Sequence, residues 1–598
     1  VPRLSTILSE HLSGARRPSE TIAACYAAIR AHDDPAMFIA LLPEDEAMAQ
    51  ALRLEREGPH GRALWGVPVA VKDNIDDAKF PTTAACPAHA YRPERDSTVV
   101  ARLKAAGAIV IGKTNLDQFA TGLVGVRSPY GVPRNALRPD LVPGGSSSGS
   151  ASAVSAGIVP IALGTDTAGS GRVPAGLQNI VGLKPSLGLV STAGVVPACR
   201  TLDCVSIFAL DIDDAFRALQ VIAGPDEADA FSRPVALGNM GDVAPGTRIG
   251  VPRVQDLHFG GDGAARAAFA TAVARLHALG FETTEIDYTP FLETARLLYE
   301  GPWVTERWLV TRDLLEHNPD AIHPVTRTIV ETGAARTAGE FFLARYKLAD
   351  LARAARTVLS RIDILMTPTA PRPVTLVEIE ADPIGANSML GRYTNSVNLL
   401  DMAALALPST LDDDGTARGV TLVGRSGSDA LLASLGRLMH QAAALPLGAT
   451  DERLAQGEPA AAPPVGSIEI AVVGAHLSGM ALNHELRDAG AIFVRSARTS
   501  PDYRLHALAG GPPARPGLLR VEPGSGAPIA IEIWAMPPEA FGRFVSRIPS
   551  PLGIGTLHLE DTTTAQGFLV EAQGVEGATD ITAFGGWRAY QASRETVR

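Results

Sequence analysis

A lysine closes the apolar run in GVPVAVKDN, and serines crowd two glycine-rich stretches further along, PGGSSSGSASA and GTDTAGSGRVPAG. The side chains at issue are Lys72, then Ser146, Ser147 and Ser148, then Ser170. A serine hydroxyl becomes a nucleophile only when a base takes its proton and preset donors receive the charge that develops on the attacked oxygen. Burying an ammonium without a partner is costly, and desolvation lowers its pKa. A lysine at the end of a buried strand can therefore act as a neutral base. Ser170 lies in AGSG, where small neighbours let consecutive N–H groups turn toward one point. No histidine falls near either serine loop, so a Ser-Lys arrangement fits better than Ser-His-Asp. Two other readings compete. A phosphate cradle would need G-x-x-x-x-G-K-[ST] or G-x-G-x-x-G, and neither stretch has it. A plain Gly/Ser turn beside a snorkelling lysine would need no chemistry at all.

Elements must bring these groups together. GVPVAVKD and GAIVIGKTN read as short buried strands, the second preceded by the helical STVVARLKAAG. GTRIGVPRV followed by AARAAFATAVARLHALGFETTEID repeats the alternation, and RIDILMTPTAP reads as another buried strand. Strand–helix–strand alternation of this kind predicts an α/β fold with a parallel or mixed sheet covered by helices. Residues 4–57 read as helical, with Ser19 capping SETIAACYAAIRAH. One α/β domain is expected over residues 1–445. A Pro/Ala/Gly-rich linker follows at 446–466. The remaining residues, 467–598, alternate short β runs with turn residues and read as a smaller, strand-richer domain.

Composition excludes several classes. The 598 residues carry a formal net charge of −11, which argues against nucleic acid or an anionic membrane as partner. The four cysteines, Cys25, Cys86, Cys199 and Cys204, form neither a disulfide framework nor a zinc-ligand pattern, so a reducing cytosol is expected. No signal peptide and no apolar run of about 18 residues is evident.

In order along the chain, GVPVAVKDNI, GKTNLDQFATG, PGGSSSGSASAVSAG and LGTDTAGSGRVPAG together resemble the amidase signature family. The resemblance runs over roughly residues 20–440 and takes in RIDILMTPTAP and TNSVNLLDMAALALP. It implies a Ser–cis-Ser–Lys triad with Ser170 as nucleophile, Ser146 at a non-proline cis peptide as bridge, and Lys72 as base. It also implies an oxyanion hole made by the N–H groups of Thr167, Ala168, Gly169 and Ser170, with no metal or cofactor. Ala168 stands where the family commonly has glycine. Asp166 reads as an acceptor holding the loop. Arg172 suits either an anionic substrate or an internal ion pair.

The segment LLYEGPWVTERW, 297–308, resembles the allophanate-hydrolysing branch of that family. The implied substrate is a small anionic amide, a urea nitrogen carrying a carboxylate. The resemblance assigns Tyr299 and Arg307 to its recognition, Arg307 offering a bidentate fork. The alternative for Arg307 is a surface arginine paired with Glu306 or Asp313. The implied reaction is hydrolysis of allophanate through N-carboxycarbamate to ammonia and carbon dioxide. Another small-amide hydrolase, or the amidase subunit of a glutamine-dependent amidotransferase, is the alternative. Residues 467–598 resemble the C-terminal extension of the same branch in VVGAHLSGMALNHEL, GIGTLHLED and DITAFGGWRAY. That implies an α+β domain similar to the γ-glutamyl cyclotransferase fold, associated with decarboxylation of the intermediate. His476, His484, Glu485 and His558 are its candidate residues. The resemblance further implies a homodimer coupled in function to a urea carboxylase.

Overall fold

The computed structural model describes residues 2–244, 246–454 and 467–595; part of the expected linker, 455–466, lies outside the described residues. The chain divides into two compact units, Val1–Val235 with Ile249–Gln456, and Ala236–Arg248 with Gly457–Arg598. The second unit thus draws in a segment from the middle of the sequence, where reading along the chain gave contiguous domains.

The first unit is built on eleven strands: β1 (Phe38–Leu41), β2 (Pro68–Lys72), β3 (Ile109–Thr114), β4 (Ile161–Asp166), β5 (Val181–Lys184), β6 (Cys204–Ala209), β7 (Ile249–Pro252), β8 (Thr283–Ile286), β9 (Ile364–Pro368), β10 (Met402–Leu411) and β11 (Ala417–Arg425). They form one sheet in the order β1-β3-β2-β4-β6-β5-β10-β11-β9-β7-β8. β2 runs parallel to β3 and β4, whereas β4 and β6 are antiparallel, so the sheet is mixed. Every residue of β2, β3 and β4 is buried, which is why these strands read as continuous apolar runs without alternation.

Helices cover the sheet, and their ends follow local rules. Ser97 caps Thr98–Ala105 by accepting the Val100 N–H, and Asp211 caps Ile212–Ile222 by accepting that of Asp214. Ser19 is not a cap. Its helix starts at Pro18, whose fixed φ suits the first helical position, and the Glu20 carboxylate reaches back to the Arg17 N–H at 2.8 Å. The stretch 4–57 is also broken by β1, a four-residue strand at the sheet edge.

The second unit holds β12 (Ile468–Val472), β13 (Ile492–Arg498), β14 (Tyr503–Ala507), β15 (Pro516–Arg520), β16 (Ala530–Met536), β17 (Leu552–His558), β18 (Thr564–Val570) and β19 (Thr579–Asp580). A five-stranded sheet, β13-β16-β12-β18-β17, accompanies a three-stranded one, β15-β14-β19. Its core gathers Ile470, Val472, Ile531, Ile533 and Phe568, together with Ala244 from the inserted segment. Helices Asn483–Asp488, Pro538–Val545 and Trp587–Glu595 complete an α+β unit.

Candidate active site

The ends of two parallel strands and one turn meet at a point. β2 delivers Lys72 at its last residue, and β4 ends at Asp166 just before the turn that carries Ser170. Lys72 is fully buried; its Nζ donates to Ser146 Oγ and to Thr165 Oγ1, each at 2.8 Å. Burial drives its pKa from the usual 10.5 to about 7, against the opposing pull of Asp117, Asp203 and Asp166. A fraction of such lysines is neutral at physiological pH, which a base requires.

The peptide bond Gly145–Ser146 is cis. The Asp117 N–H donates to the Ser146 carbonyl at 3.1 Å, while the Asp117 carboxylate accepts from Val124, Gly125 and Arg127 N–H. The fit excludes any side chain at 145. A Cβ there would stand 2.1 Å from Asp117 Oδ2 and 2.5 Å from the Gly125 nitrogen. The GKTNLDQFATG stretch thus acts as a clamp on the serine loop.

Ser170 is 3% exposed, and among the described residues its hydroxyl makes no hydrogen bond. The Lys72–Ser146 contact of the expected relay is therefore made, and the Ser146–Ser170 contact is not. Catalytic hydrogen bonds often tighten only when substrate is bound. Around the turn, Gly169 N–H donates to Asp166 Oδ1 at 2.9 Å and Gly171 N–H to Asp166 Oδ2 at 3.1 Å. The N–H groups of Thr167, Ala168 and Ser170 have no acceptor among the described residues. Three of the four expected oxyanion donors are open, and the fourth is committed to Asp166. Ala168 causes no conflict, because its φ is not positive and its methyl packs with Cys199, Leu297 and Trp303. Gly169 cannot be replaced so easily: its φ is +137°, and a Cβ would lie 2.4 Å from Thr394 Oγ1.

Asp166 and Arg172 form a buried bidentate pair at 2.8 and 2.9 Å. Arg172 also donates to the Thr394 carbonyl and Asn398 Oδ1, so it is an internal brace for the turn. Against the push of burial, its guanidinium helps hold the Asp166 carboxyl below the usual carboxylate range.

Tyr299 and Arg307 come from two helices, Thr289–Glu300 and Val304–His317, separated by the break at Gly301. The Arg307 guanidinium sits 5.5 Å from the Tyr299 ring centre, with Nη2 3.5 Å from the phenol oxygen. Arg307 is 3% exposed and donates to the Ala120 carbonyl and Thr121 Oγ1. The surface alternative fails, since Glu306 instead takes Thr201 and Asp313 pairs with Arg312. A buried guanidinium with no carboxylate partner among the described residues suits an anionic ligand.

The second unit has its own cavity of about 640 Å³ including its open mouth, lined by His476, Glu485, Arg515, Arg547, Phe544 and Phe568 among others. His476 stacks on Phe568 with ring centres 5.2 Å apart and contacts Glu485 through Nε2 at 3.1 Å. Burial lowers the His476 pKa, with Glu485 opposing. Of the histidines singled out in the sequence, only His476 lines this cavity. His484 bonds the Ala481 carbonyl beside its own helix, and His558 ends β17. Sequence reasoning missed Arg515 and Arg547, which stand far from the histidine loop in the chain and bear no motif. It likewise missed Thr165 and Asp203. No group of three or more His, Cys, Asp and Glu side chains suited to a metal occurs among the described residues. No helix among them is long and apolar enough to cross a membrane.

The family model for amidases matches residues 20–433, and that for the allophanate hydrolase C-terminal domain matches residues 468–592. The urea amidolyase of Saccharomyces cerevisiae is 43% identical over 570 residues, 92% of this chain and 31% of that protein. The chain spans about a third of the length of such relatives. A Glutamyl-tRNA(Gln) amidotransferase component from Symbiobacterium thermophilum is 38% identical, over 61% of this chain and 80% of its own. A solved structure of Kluyveromyces lactis allophanate hydrolase superposes with a TM-score of 0.77 at 40% identity, covering 100% of this chain and 99% of that one.

Proposed function

The chain belongs to the amidase family, and on that premise we propose that it hydrolyses allophanate with Lys72, Ser146 and Ser170 as its relay. The observation that carries the reading is the buried Lys72 Nζ held 2.8 Å from Ser146 Oγ. Neutral Lys72 takes a proton through Ser146, and Ser170 Oγ attacks the terminal carbamoyl carbon. The open N–H groups of Thr167, Ala168 and Ser170 receive the negative charge on the carbonyl oxygen. The C–N bond breaks, ammonia leaves with a proton returned along the relay, and water then cleaves the acyl-enzyme to release N-carboxycarbamate. Arg307 takes the substrate carboxylate, and Tyr299 orients the urea.

Substrate choice rests on Arg307, buried and without a carboxylate of its own. A glutamine-handling amidotransferase role is disfavoured by the second unit, which matches the allophanate hydrolase C-terminal domain, whereas the amidotransferase component of Symbiobacterium thermophilum covers 61% of this chain. That unit supplies the next step. In its cavity Arg515 and Arg547 bind the dicarboxylate, and His476, poised by Glu485, moves a proton as carbon dioxide departs. Linkage to a urea carboxylase, the enzyme class that makes allophanate, fits the two thirds of the urea amidolyases that this chain does not cover. The cytoplasm is the setting for such chemistry.

A second copy of the chain is the partner we assign to the helix Ala338–Leu359. Its early turns leave Phe341, Phe342, Leu343 and Tyr346 exposed by 44, 55, 68 and 64%. Clustered apolar exposure of this kind marks an interaction site. Laid antiparallel on itself about a two-fold between Leu343 and Ala344, the helix sets Glu340 opposite Lys347 and Phe341 opposite Tyr346.

The deciding experiment is ammonia release from freshly prepared allophanate, beside malonamide, glutamine and a fatty amide, with Ser170→Ala as blank. Release from allophanate alone, lost in the blank, is expected. Turnover of another amide with none of allophanate refutes the substrate assignment while leaving the relay standing.

A further inference from the structure

Beside the nucleophile turn lies a carboxylate that the proposed mechanism does not use. Asp203 stands one residue before β6, whose first residue, Cys204, pairs with Asp166 at the end of β4. It is 8% exposed and fully bonded: Oδ1 accepts the Thr167 hydroxyl and the Cys199 N–H, and Oδ2 accepts the Ala198 N–H at 2.9 Å. Thr167 is the residue whose own N–H opens the oxyanion turn. Asp203 therefore holds that turn through Thr167, while Asp166 holds it through Gly169 and Gly171.

The grip extends further. The loop bearing Asp203 bonds the helix Val304–His317 through Thr201, whose N–H and hydroxyl both donate to the Glu306 carboxylate. Glu306 directly precedes Arg307. One short loop thus ties the residue behind the oxyanion turn to the residue beside the anion-binding arginine.

We infer that Asp203 is a positioning residue for amide cleavage, fixing the oxyanion turn through Thr167 and setting the electrostatic field at Lys72. The inference rests on the amide-hydrolase reading but does not depend on which amide is the substrate. The charged groups acting on Lys72 are Asp117, Asp203 and Asp166, which favour its protonation, and Arg307, which opposes it. Asp166 is neutralised by Arg172 at 2.8 Å, whereas no arginine or lysine bonds Asp203 among the described residues. Asp203 itself is faced by the Thr167 hydroxyl, the Ala198 and Cys199 N–H groups and the Arg307 charge; burial pushes its pKa up to about 6.

The test uses the full chain and any amide that it turns over. Asp203→Asn keeps the shape and removes the charge. Its kcat should fall on the order of 10- to 100-fold, the range expected when preset donors shift slightly. The acid limb of its kcat/KM profile should also move to lower pH by roughly half a unit, because a carboxylate that favoured the ammonium is gone. Thr167→Val removes the hydroxyl and keeps the charge, so kcat should fall with the acid limb in place. Thr167→Ser should restore kcat. A merely structural role for Asp203 would leave the acid limb of Asp203→Asn in place. Wild-type kcat in Asp203→Asn or Thr167→Val, or an unmoved limb in Asp203→Asn, overturns the inference. Should Asp203→Asn not fold, the Thr167 pair decides: a loss in valine without recovery in serine also overturns it. Undiminished activity in Lys72→Met would instead sink the relay itself, a separate outcome.

Discussion

Lys72→Met should make the enzyme inactive and, at neutral pH, more stable. The lysine's pKa falls from the usual 10.5 to about 7, with burial as the main cause. The sign follows from proton counts. Between pH 7 and pH 10.5 the unfolded chain holds a proton at Lys72 that the folded chain has lost, so wild-type stability rises with pH across that window. At pH 7 and below, the full penalty applies, roughly 5 kcal/mol at 1.36 kcal/mol for each pH unit. At pH 9 it has shrunk to about 2 kcal/mol. Methionine escapes this penalty and forgoes the bonds to Ser146 and Thr165, worth about 1 kcal/mol each at any pH. The net gain is about 3 kcal/mol at pH 7 and near zero at pH 9. For a unit of about 440 residues, unfolding entropy is roughly 0.9 kcal/mol per kelvin, so the shift is about 3 °C at pH 7. Scanning calorimetry of both proteins at the two pH values reads it directly. A Tm difference that stays the same at pH 7 and pH 9 would refute the claim that Lys72 loses its proton on folding.

Three further outcomes are expected. Arg307→Ala should raise KM for an anionic amide by about 10-fold or more, the loss of a charge-assisted pair, and leave neutral amides little changed; equal effects on both would remove it from the pocket. His476→Ala should leave the first ammonia release at its wild-type rate while carbon dioxide appears late, which coupled assays of the two gases separate; simultaneous release would exclude the cavity from the second step. Tyr346→Glu should shift the chain from dimer to monomer in sedimentation experiments with activity retained on a per-chain basis, and an unchanged mass would clear that helix of the role.

The residues of the proposed relay stand out in the sequence because Lys72 closes a strand and the serines lie in glycine-rich turns. PVAVK announces a buried strand, and a lysine closing it has nowhere wet to go. The glycines of PGGSSSG and GTDTAGSG mark places where backbone must approach backbone, as the Asp117 clamp on Gly145 shows. Thr165 and Asp203 were not legible. Each matters only because β2, β4 and β6 lie side by side, and that adjacency is a property of the sheet, not of any short stretch. In the second unit one cavity is likewise lined from distant stretches, so Arg515 and Arg547 carried no local signal and His476, His484 and His558 looked alike. Ser19 misled because a hydroxyl before a helical run looks like a cap, whereas the proline before it had already set the start.

The segment Ala236–Arg248 interrupts one unit to complete the other. Its Ala244 is 6% exposed and belongs to the core with Ile470 and Trp534, and Gly241 is so close to the Phe493 carbonyl that a Cβ would stand 2.7 Å away. The smaller unit is therefore not a detachable cassette. A gene fragment beginning at residue 467 would encode every strand of that unit and still leave a strip of its core bare. Exchange between enzymes by simple end-to-end fusion would have had to carry, or re-invent, thirteen residues from the interior of the other unit. Co-expressing a peptide spanning 236–248 with the fragment should recover solubility that the fragment alone lacks.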